Sequence, residues 1–236
     1  SHGDWLIADS GYSMKMTAYE NTVLVNGVGQ AGEGGDWCED LEFRKGKTVP
    51  RILRAEAGGA FDYAVGDAAP AYPADVGLRK FLRHVIYVKP SCWVIVDELE
   101  TSEPATFDLH FHTCFPFEPA GPGRYVARGA SGAVLLEHLA PADATVRTLK
   151  QPILSTTTRR ADRQMDLLVL SNAQKRRDAL FIALLRAFPA GGEPTAHAEL
   201  KGAELTVRGA AGTCRFVLEP GRLELGDLIL RQVEAR

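Results

Sequence analysis

The sequence lacks several features that would assign it at once to a large class of proteins. No apolar run approaches the roughly 20 residues needed to span a bilayer, and the first residues lack the basic start and long apolar stretch of a signal peptide. The formal net charge is −3 and the pI about 6.1, so no global positive field attracts nucleic acid. No P-loop, dinucleotide fingerprint or Ser-His-Asp elbow occurs. We therefore expect neither a nucleic acid nor a membrane as partner.

Cysteine is sparse and forms no metal or redox motif. The four cysteines are Cys38, Cys92, Cys114 and Cys214. They contain no Cys-x-x-Cys pair, which argues against a zinc–thiolate site. Cys92 and Cys114 lie within apolar runs and are predicted to be core thiols, because Cys behaves there as a small apolar residue. A disulfide remains open for a periplasmic setting.

The sequence is rich instead in short apolar segments with a period of two. Hydrophobic residues make up 45% of the 236 positions, enough for one substantial core. Segments rich in Leu, β-branched or aromatic residues and bounded by Gly, Pro, Asn or Asp predict strands. These segments are Leu6–Ala8, Thr22–Asn26, Phe61–Val65, Phe81–Val88, Trp93–Leu99, Phe107–Phe115, Val134–Leu139, Leu167–Leu170, Leu205–Val207, Cys214–Leu218, Leu223–Leu225 and Leu228–Val233.

The arrangement of these segments predicts one all-β domain over residues 1–236. Lys89-Pro90-Ser91 joins two long strands and is typical of a hairpin. Asp178–Phe188 is apolar on both faces, which suits a helix or a buried central strand, and its surroundings favour the strand. Many short strands at hairpin spacing predict a large two-sheet antiparallel β-sandwich.

Polar side chains crowd the connection between the first two predicted strands. They are Asp9, Tyr12, Tyr19, Glu20 and Asn21. We expect the two strands to lie side by side, with these side chains converging on a shared rim where a ligand or metal could meet them.

The order of residues in this stretch resembles the C-terminal β-domain of the heparinase II/III-like polysaccharide lyases. In that family a strand ending in Asp-x-Gly is followed by one reading His-Asn-Thr-Val-Leu-Val-Asp-Gly-x-Gly-Gln. Asp9-Ser10-Gly11 matches the first part and Asn21–Gln30 the second, but Glu20 stands where the family usually has His. The paired strands around Pro90 and the late apolar segment Ala179–Pro189 also follow the family's order of elements.

The resemblance implies a metal site near the opening strands. In the family, the Asp after the first strand and the His before Asn-Thr join an upstream His in holding a structural zinc. Asp9 and Glu20 fall on two of these positions, so the resemblance implies a divalent metal, Zn²⁺ or Ca²⁺, in the intact protein. Two carboxylates without imidazole suit Ca²⁺ better than Zn²⁺. The alternative is that Asp9 caps a turn and Glu20 is solvated.

The resemblance also implies a catalytic tyrosine. β-Elimination from a uronate needs a base for the C5 proton, a group that neutralises the adjacent carboxylate, and an acid for the departing O4. The family places a tyrosine after the Asp-x-Gly turn; Tyr12 is the best local match, and Tyr19 is the second candidate. The alternative for both is a rim tyrosine without a chemical role.

Five further residues are candidates for substrate binding, each with a structural alternative. Asn21 matches the family's Asn, but its amide most simply bonds turn backbone. Gln30 and Trp37 lie in a Gly-rich loop that could approach a sugar ring, although Trp37 would equally suit a loop anchor. Arg83 and His84 belong to a basic patch that would hold uronate carboxylates or protect a strand edge.

His110 and His112 alternate along one predicted strand and therefore share a face. This spacing suits metal ligands. Because no third His or Cys lies near in sequence, we favour two packed, hydrogen-bonded histidines.

The resemblance implies a module of a lyase that cleaves acidic, uronate-containing polysaccharide in the periplasm or outside the cell. Family members add an N-terminal helical toroid with further catalytic residues, and no helical segment here matches it. We expect the isolated chain to be inactive. Its expected partners are an acidic polysaccharide or oligosaccharide and the missing helical domain. The alternatives are a non-catalytic carbohydrate-binding domain and a structural β-sandwich.

Overall fold

The computed structural model describes residues 2–9, 16–33, 49–152, 164–202, 204–209, 212–220 and 228–232. Regular structure in these ranges consists of β-strands and three 3₁₀ turns, at Thr17–Tyr19, Ala69–Ala71 and Ala74–Val76, with no α-helix. In the same ranges, no helix has the length and apolar character needed to cross a membrane. The predicted all-β class is confirmed.

The strands are numbered in chain order. They are β1 (Val23–Val25), β2 (Arg51–Ala57), β3 (Phe61–Asp67), β4 (Leu78–Val88), β5 (Cys92–Ala105), β6 (Phe107–Thr113), β7 (Phe117–Pro119), β8 (Arg124–Arg128), β9 (Gly132–Ala140), β10 (Thr145–Pro152), β11 (Gln164–Ser171), β12 (Arg176–Pro189), β13 (His197–Lys201), β14 (Glu204–Gly209), β15 (Gly212–Pro220) and β16 (Leu228–Gln232).

These strands form three antiparallel sheets. The inner sheet has eight strands in the order β2-β3-β4-β5-β12-β9-β8-β7, and the front sheet has the order β1-β6-β11-β10. These two sheets are the predicted sandwich. A back sheet, β13-β14-β15-β16, adds a third layer on the other side of the inner sheet that the sequence analysis did not predict.

The inner sheet is buried on both faces at its centre. Its front face packs on the front sheet through residues that include Phe81, Phe107, Leu109 and Phe181. Its back face packs on the back sheet through residues that include Ile86, Val96, Ile182, Leu184, Leu205 and Val207. Strand β12 lies between β5 and β9 and alternates between these two cores, which is why its sequence is apolar on both faces. The preference for a strand over a helix at this segment is confirmed.

Several sequence-based boundaries need correction. Leu6–Ala8 is not a strand; the Ala8 N–H donates one hydrogen bond, 3.1 Å, to the carbonyl of His112 in β6. Strands β2, β7, β8, β10 and β13 were not predicted, because they are short (β7, β8 and β13) or largely exposed (β2 and β10). The hairpin at Lys89–Ser91 is confirmed, with Val88 opposite Cys92. Leu223–Leu225 lies outside the described residues.

The cysteines divide between core and surface. Cys92 is 1% exposed and packs in the back core, as predicted. Cys114 is exposed, so the prediction of a core thiol is wrong there, because β6 ends one residue earlier at Thr113. Cys38 lies outside the described residues.

Candidate functional site

Asn21 joins both opening segments of the chain to β6. Its side-chain Nδ2 donates to the carbonyl of Ala8 at 2.9 Å, and its Oδ1 accepts from the backbone N–H of His112 at 2.7 Å. The side-chain amide therefore takes the place of a peptide group in the ladder. The sequence analysis predicted that the two opening segments lie side by side, and this is wrong. Instead, they follow one another along the same edge of β6, and each is hydrogen-bonded to that strand. Their polar ends nevertheless meet, around what we call the Asn21 junction (Ala8, Asn21 and His112).

Arg83, in β4, holds the Asn21 junction to the inner sheet. Its Nη1 donates to the carbonyl of Asn21, while Nε and Nη2 each donate to the Asp97 carboxylate at 2.7 Å. The Asp97 side chain is fully buried and that of Arg83 is 22% exposed. Burial lowers the pKa of Arg83, but the facing carboxylate outweighs burial and raises it above its ordinary value. The guanidinium therefore stays charged and is already neutralised within the protein.

Tyr72 holds the start of β1, two residues after Asn21. Its hydroxyl donates to the carbonyl of Val23, and the ring is 5% exposed. Burial raises the pKa of Tyr72, so the hydroxyl keeps the proton it donates.

His110, His112 and Gln151 form a cluster around one backbone carbonyl, which we call the histidine cluster. Gln151 Nε2 donates to the Ala18 carbonyl at 3.2 Å, and His110 Nδ1 lies 3.3 Å from the same oxygen. Gln151 Oε1 lies 2.8 Å from Nε2 of His112. Ala18 precedes Tyr19 in the 3₁₀ turn, so the cluster fixes the backbone next to a predicted catalytic residue.

Both histidines are packed and hydrogen-bonded, as favoured from the sequence. His110 is 5% exposed and His112 is fully buried. Burial lowers the pKa of both imidazoles, so each is neutral at neutral pH. With Nε2–H of His112 donating to Gln151, its Nδ1 bears a lone pair, and this buried atom has no hydrogen-bond partner among the described residues.

Asp9 and Glu20 lie close enough to interact electrostatically. Burial, and then the charge of Asp9, raise the pKa of Glu20 to about 7. Glu20 is half-buried, not fully solvated. Among the described residues, no group of three His, Cys, Asp or Glu side chains is placed to hold a metal ion. Two carboxylates alone do not make a full Zn²⁺ or Ca²⁺ site, so the described residues do not by themselves fit the metal that the resemblance implies.

Gly29 and Gln30 pack against the turn that contains Tyr19. The N–H of Gln30 donates to Thr17 Oγ1 at 2.7 Å. A Cβ atom added at Gly29 would lie 2.5 Å from Cβ of Thr17, which is too close. Glycine therefore permits the backbone at this position to approach the Thr17 side chain. Tyr19 and Gln30 are both half-buried. Tyr12 and Trp37, the other candidates from this region, lie outside the described residues.

His84 lies apart from the rest of the candidate site. It points to the opposite face of β4 from Arg83, because adjacent residues of a strand alternate. Its Nδ1 lies 2.9 Å from the Tyr63 hydroxyl and its Nε2 3.1 Å from Glu98, and it is fully buried. Lys80 is paired with the same Glu98 at 3.4 Å. The predicted basic patch is therefore divided between two faces and largely neutralised.

The sequence analysis missed three side chains of this site. Asp97 and Tyr72 hold the junction, and Gln151 orients the histidine cluster. Asp97 could have been found, since a tight turn at Lys89–Ser91 places it directly opposite Arg83. Gln151 gives no signal in the sequence, because its position depends on the order of three distant strands.

The sequence and the fold are both similar to those of known proteins. The family model "Heparinase II/III-like, C-terminal" matches residues 2–213. A heparan sulfate lyase HepC mutant from Pedobacter heparinus superposes with a TM-score of 0.63 at 10% identity, over 86% of this chain and 30% of that one. A heparinase III described as the BT4657 gene product with methylated lysines gives 0.64 at 16% identity, over the same shares. A further heparinase III structure gives 0.59 at 16% identity, over 84% of this chain and 29% of that one.

These likenesses establish the fold over most of the chain. The chain spans about 30% of the length of the lyase structures. No curated protein sequence matches it. Since the family model covers most of the sequence, the chain belongs to the heparinase II/III-like C-terminal family.

Proposed function

We propose that this chain is the β-sandwich module of a polysaccharide lyase that cleaves acidic, uronate-containing polysaccharide by β-elimination. The family match over residues 2–213 supports the lyase module. The observation on which the proposal rests most is the Asn21 junction, which joins the segments that carry Asp9, Tyr19 and Glu20 to the strand that carries His110 and His112.

The rim has the chemical groups that proton transfer needs. Tyr19 supplies a phenol that can donate a proton to a departing sugar oxygen or, once ionised, accept one from carbon. The two neutral imidazoles nearby keep positive charge out of the cluster. Tyr12, which lies outside the described residues, is the other candidate for this role. Because Arg83 is already paired with Asp97, we assign the neutralisation of the uronate carboxylate to another group.

We further propose that the module is inactive alone and acts in the periplasm or outside the cell with a helical toroid domain. A divalent metal at Asp9 and Glu20 stays a prediction of the resemblance, and no step of the mechanism depends on it. Metal analysis of the purified chain by mass spectrometry tests it directly.

A non-catalytic carbohydrate-binding role is the second candidate. It is favoured because Arg83 and His84, the basic residues predicted to contact the substrate carboxylates, are each already paired with a carboxylate of the protein. In this case the chain would bind acidic glycans without cleaving them. Gln30, Trp37 and Asn21 would then be the sugar contacts to test.

The decisive experiment joins this chain to a helical toroid from its parent gene and follows the near-ultraviolet absorbance of the unsaturated product. We expect product from at least one uronate polymer such as alginate or a heparin-like chain. Tyr19→Phe should lower the rate roughly a hundredfold or more, as for loss of a general acid or base. Leu149→Ala, an exposed position on β10, serves as the control. Binding without product in the unmodified fusion would favour the second candidate.

A further inference from the structure

A second concave surface lies between the opening segment of the chain and strands β5, β9 and β12 of the inner sheet. It encloses about 510 Å³ and is lined by Trp5 and Trp93, with Asp4 at its rim and Leu6, Val134 and Leu185 behind. None of these residues belongs to the Asn21 junction or the histidine cluster. Its volume falls within the range of roughly 300–1,000 Å³ that is typical of small-molecule sites.

Two indole rings give this pocket its chemical character. Trp5 is 76% exposed, the highest fraction among the large apolar side chains of the described residues. Trp93 is half-buried, and its ring stacks on Tyr87 with centroids 4.7 Å apart and planes 14° apart. This stack fixes the orientation of Trp93, so little rotamer freedom is lost when a flat ligand packs against it. The C–H face of a pyranose ring is such a ligand.

The charge at the rim distinguishes between classes of sugar. Oδ2 of Asp4 accepts hydrogen bonds from the backbone N–H groups of Ser131 at 2.6 Å and Gly132 at 2.8 Å. These bonds lower the pKa of Asp4, so its carboxylate is ionised and held in place. An ionised carboxylate accepts hydrogen bonds from sugar hydroxyls and repels a uronate. The described lining includes no Lys or Arg that would reverse this preference.

We propose that the Trp5–Trp93 pocket binds an uncharged pyranose residue of a glycan, separate from the rim proposed for acidic sugar. The inference goes beyond the lyase function and does not require it. A module with both sites would hold a heteropolymer through its neutral residues at one place and through its uronates at another.

The test is titration of the full chain with three disaccharides: cellobiose, N,N′-diacetylchitobiose and digalacturonate. Binding is followed by tryptophan fluorescence and by saturation-transfer NMR. We expect at least one neutral disaccharide to bind, with a blue shift of the tryptophan emission that is lost in Trp5→Ala, and digalacturonate to leave the emission unchanged. Trp5→Ala and Trp93→Ala should each weaken binding roughly tenfold, the change expected from losing about 60 Å² of apolar contact.

Two further variants separate binding from folding and test the charge argument. Leu149→Ala, 46% exposed on β10, is the matched control and should bind as the unmodified chain does. Asp4→Asn keeps an acceptor oxygen for the Ser131 turn and should narrow the gap between neutral and acidic disaccharides. Melting curves confirm that each variant is folded, and Trp5, being exposed, is replaceable without disturbing the core.

Three results would overturn the proposal. One is no binding of either neutral disaccharide up to its solubility limit. Another is neutral-sugar binding that survives in the Trp5→Ala/Trp93→Ala double variant. The third is tighter binding of digalacturonate than of either neutral disaccharide, with an emission shift that is lost in Trp5→Ala. Loss of lyase activity in the fusion protein with neutral-sugar binding retained would refute the proposed function alone.

Discussion

Replacing Arg83 with Met should destabilise the fold strongly, because the buried carboxylate of Asp97 would lose the side chain that donates a hydrogen bond to each of its oxygens. Asp97 is fully buried, and both its oxygens accept hydrogen bonds from Arg83 at 2.7 Å. Breaking a buried ion pair from one side costs about 3–5 kcal/mol. The Arg83 side chain is 22% exposed, so water relieves part of the loss, and we expect about 3 kcal/mol.

The assay is equilibrium unfolding in urea at neutral pH, with the midpoint and slope fitted separately. Arg79→Met, an exposed arginine of the same strand, is the control and should change the free energy of unfolding by less than about 0.5 kcal/mol. The double variant Arg83→Met/Asp97→Leu removes both charges and should be at least about 1 kcal/mol more stable than Arg83→Met. A cost below about 1 kcal/mol for Arg83→Met, or no recovery in the double variant, would refute the electrostatic account.

Three other predictions concern the junction, the rim and the core. Asn21→Ala leaves the Ala8 carbonyl and the His112 N–H without their partner and should lower the free energy of unfolding by roughly 2–4 kcal/mol. Hydrogen exchange at the backbone N–H of His112 should become faster. Unchanged exchange there would contradict the peptide-like role of the Asn21 side chain. Glu20→Gln should stabilise the chain by roughly 1–2 kcal/mol at about pH 8, after allowance for partial exposure, and have little effect below pH 4.5. The sign follows because the pKa of Glu20 in the folded chain, about 7, lies above its ordinary value of 4.5. Between these pH values the folded chain binds more protons than the unfolded chain, so the free energy of unfolding falls as pH rises. A destabilising effect of Glu20→Gln at about pH 8 in thermal melts would contradict this account. Leu184→Ala, at a fully buried position of β12, should lower the free energy of unfolding in urea by roughly 2–5 kcal/mol. Leu180→Ala, at a position of the same strand that is 39% exposed, should lower it much less.

The sequence predicts structure best where the residues of a single strand carry the signal. The apolar character of β12 on both faces predicts a central strand, and the two cores of the inner sheet explain it. The tendency of an Asn amide to bond backbone predicts the structural role of Asn21. For β12 the signal lies in the strand's own sequence, whereas for Asn21 only the residue type is informative, because its partners Ala8 and His112 are 13 and 91 residues away.

The rest of the site depends on pairings between distant strands. Gln151 reaches His112 only because β11 lies between β10 and β6, an order that local pattern does not specify. The assignment of Arg83 and His84 to one basic patch overlooked strand alternation, which turns them to opposite faces. The back sheet was missed as a separate layer, since short amphipathic strands look alike whichever sheet they join.

The central claim is that acidic sugar meets this chain at the rim around Asn21. The most direct measurement is a backbone NMR titration of the isotopically labelled chain with uronate oligosaccharides. The account predicts that the largest shifts fall on the amides of residues 18–21 and of His110 and His112. Shifts confined to other parts of the chain, or none at saturating oligosaccharide, would contradict it.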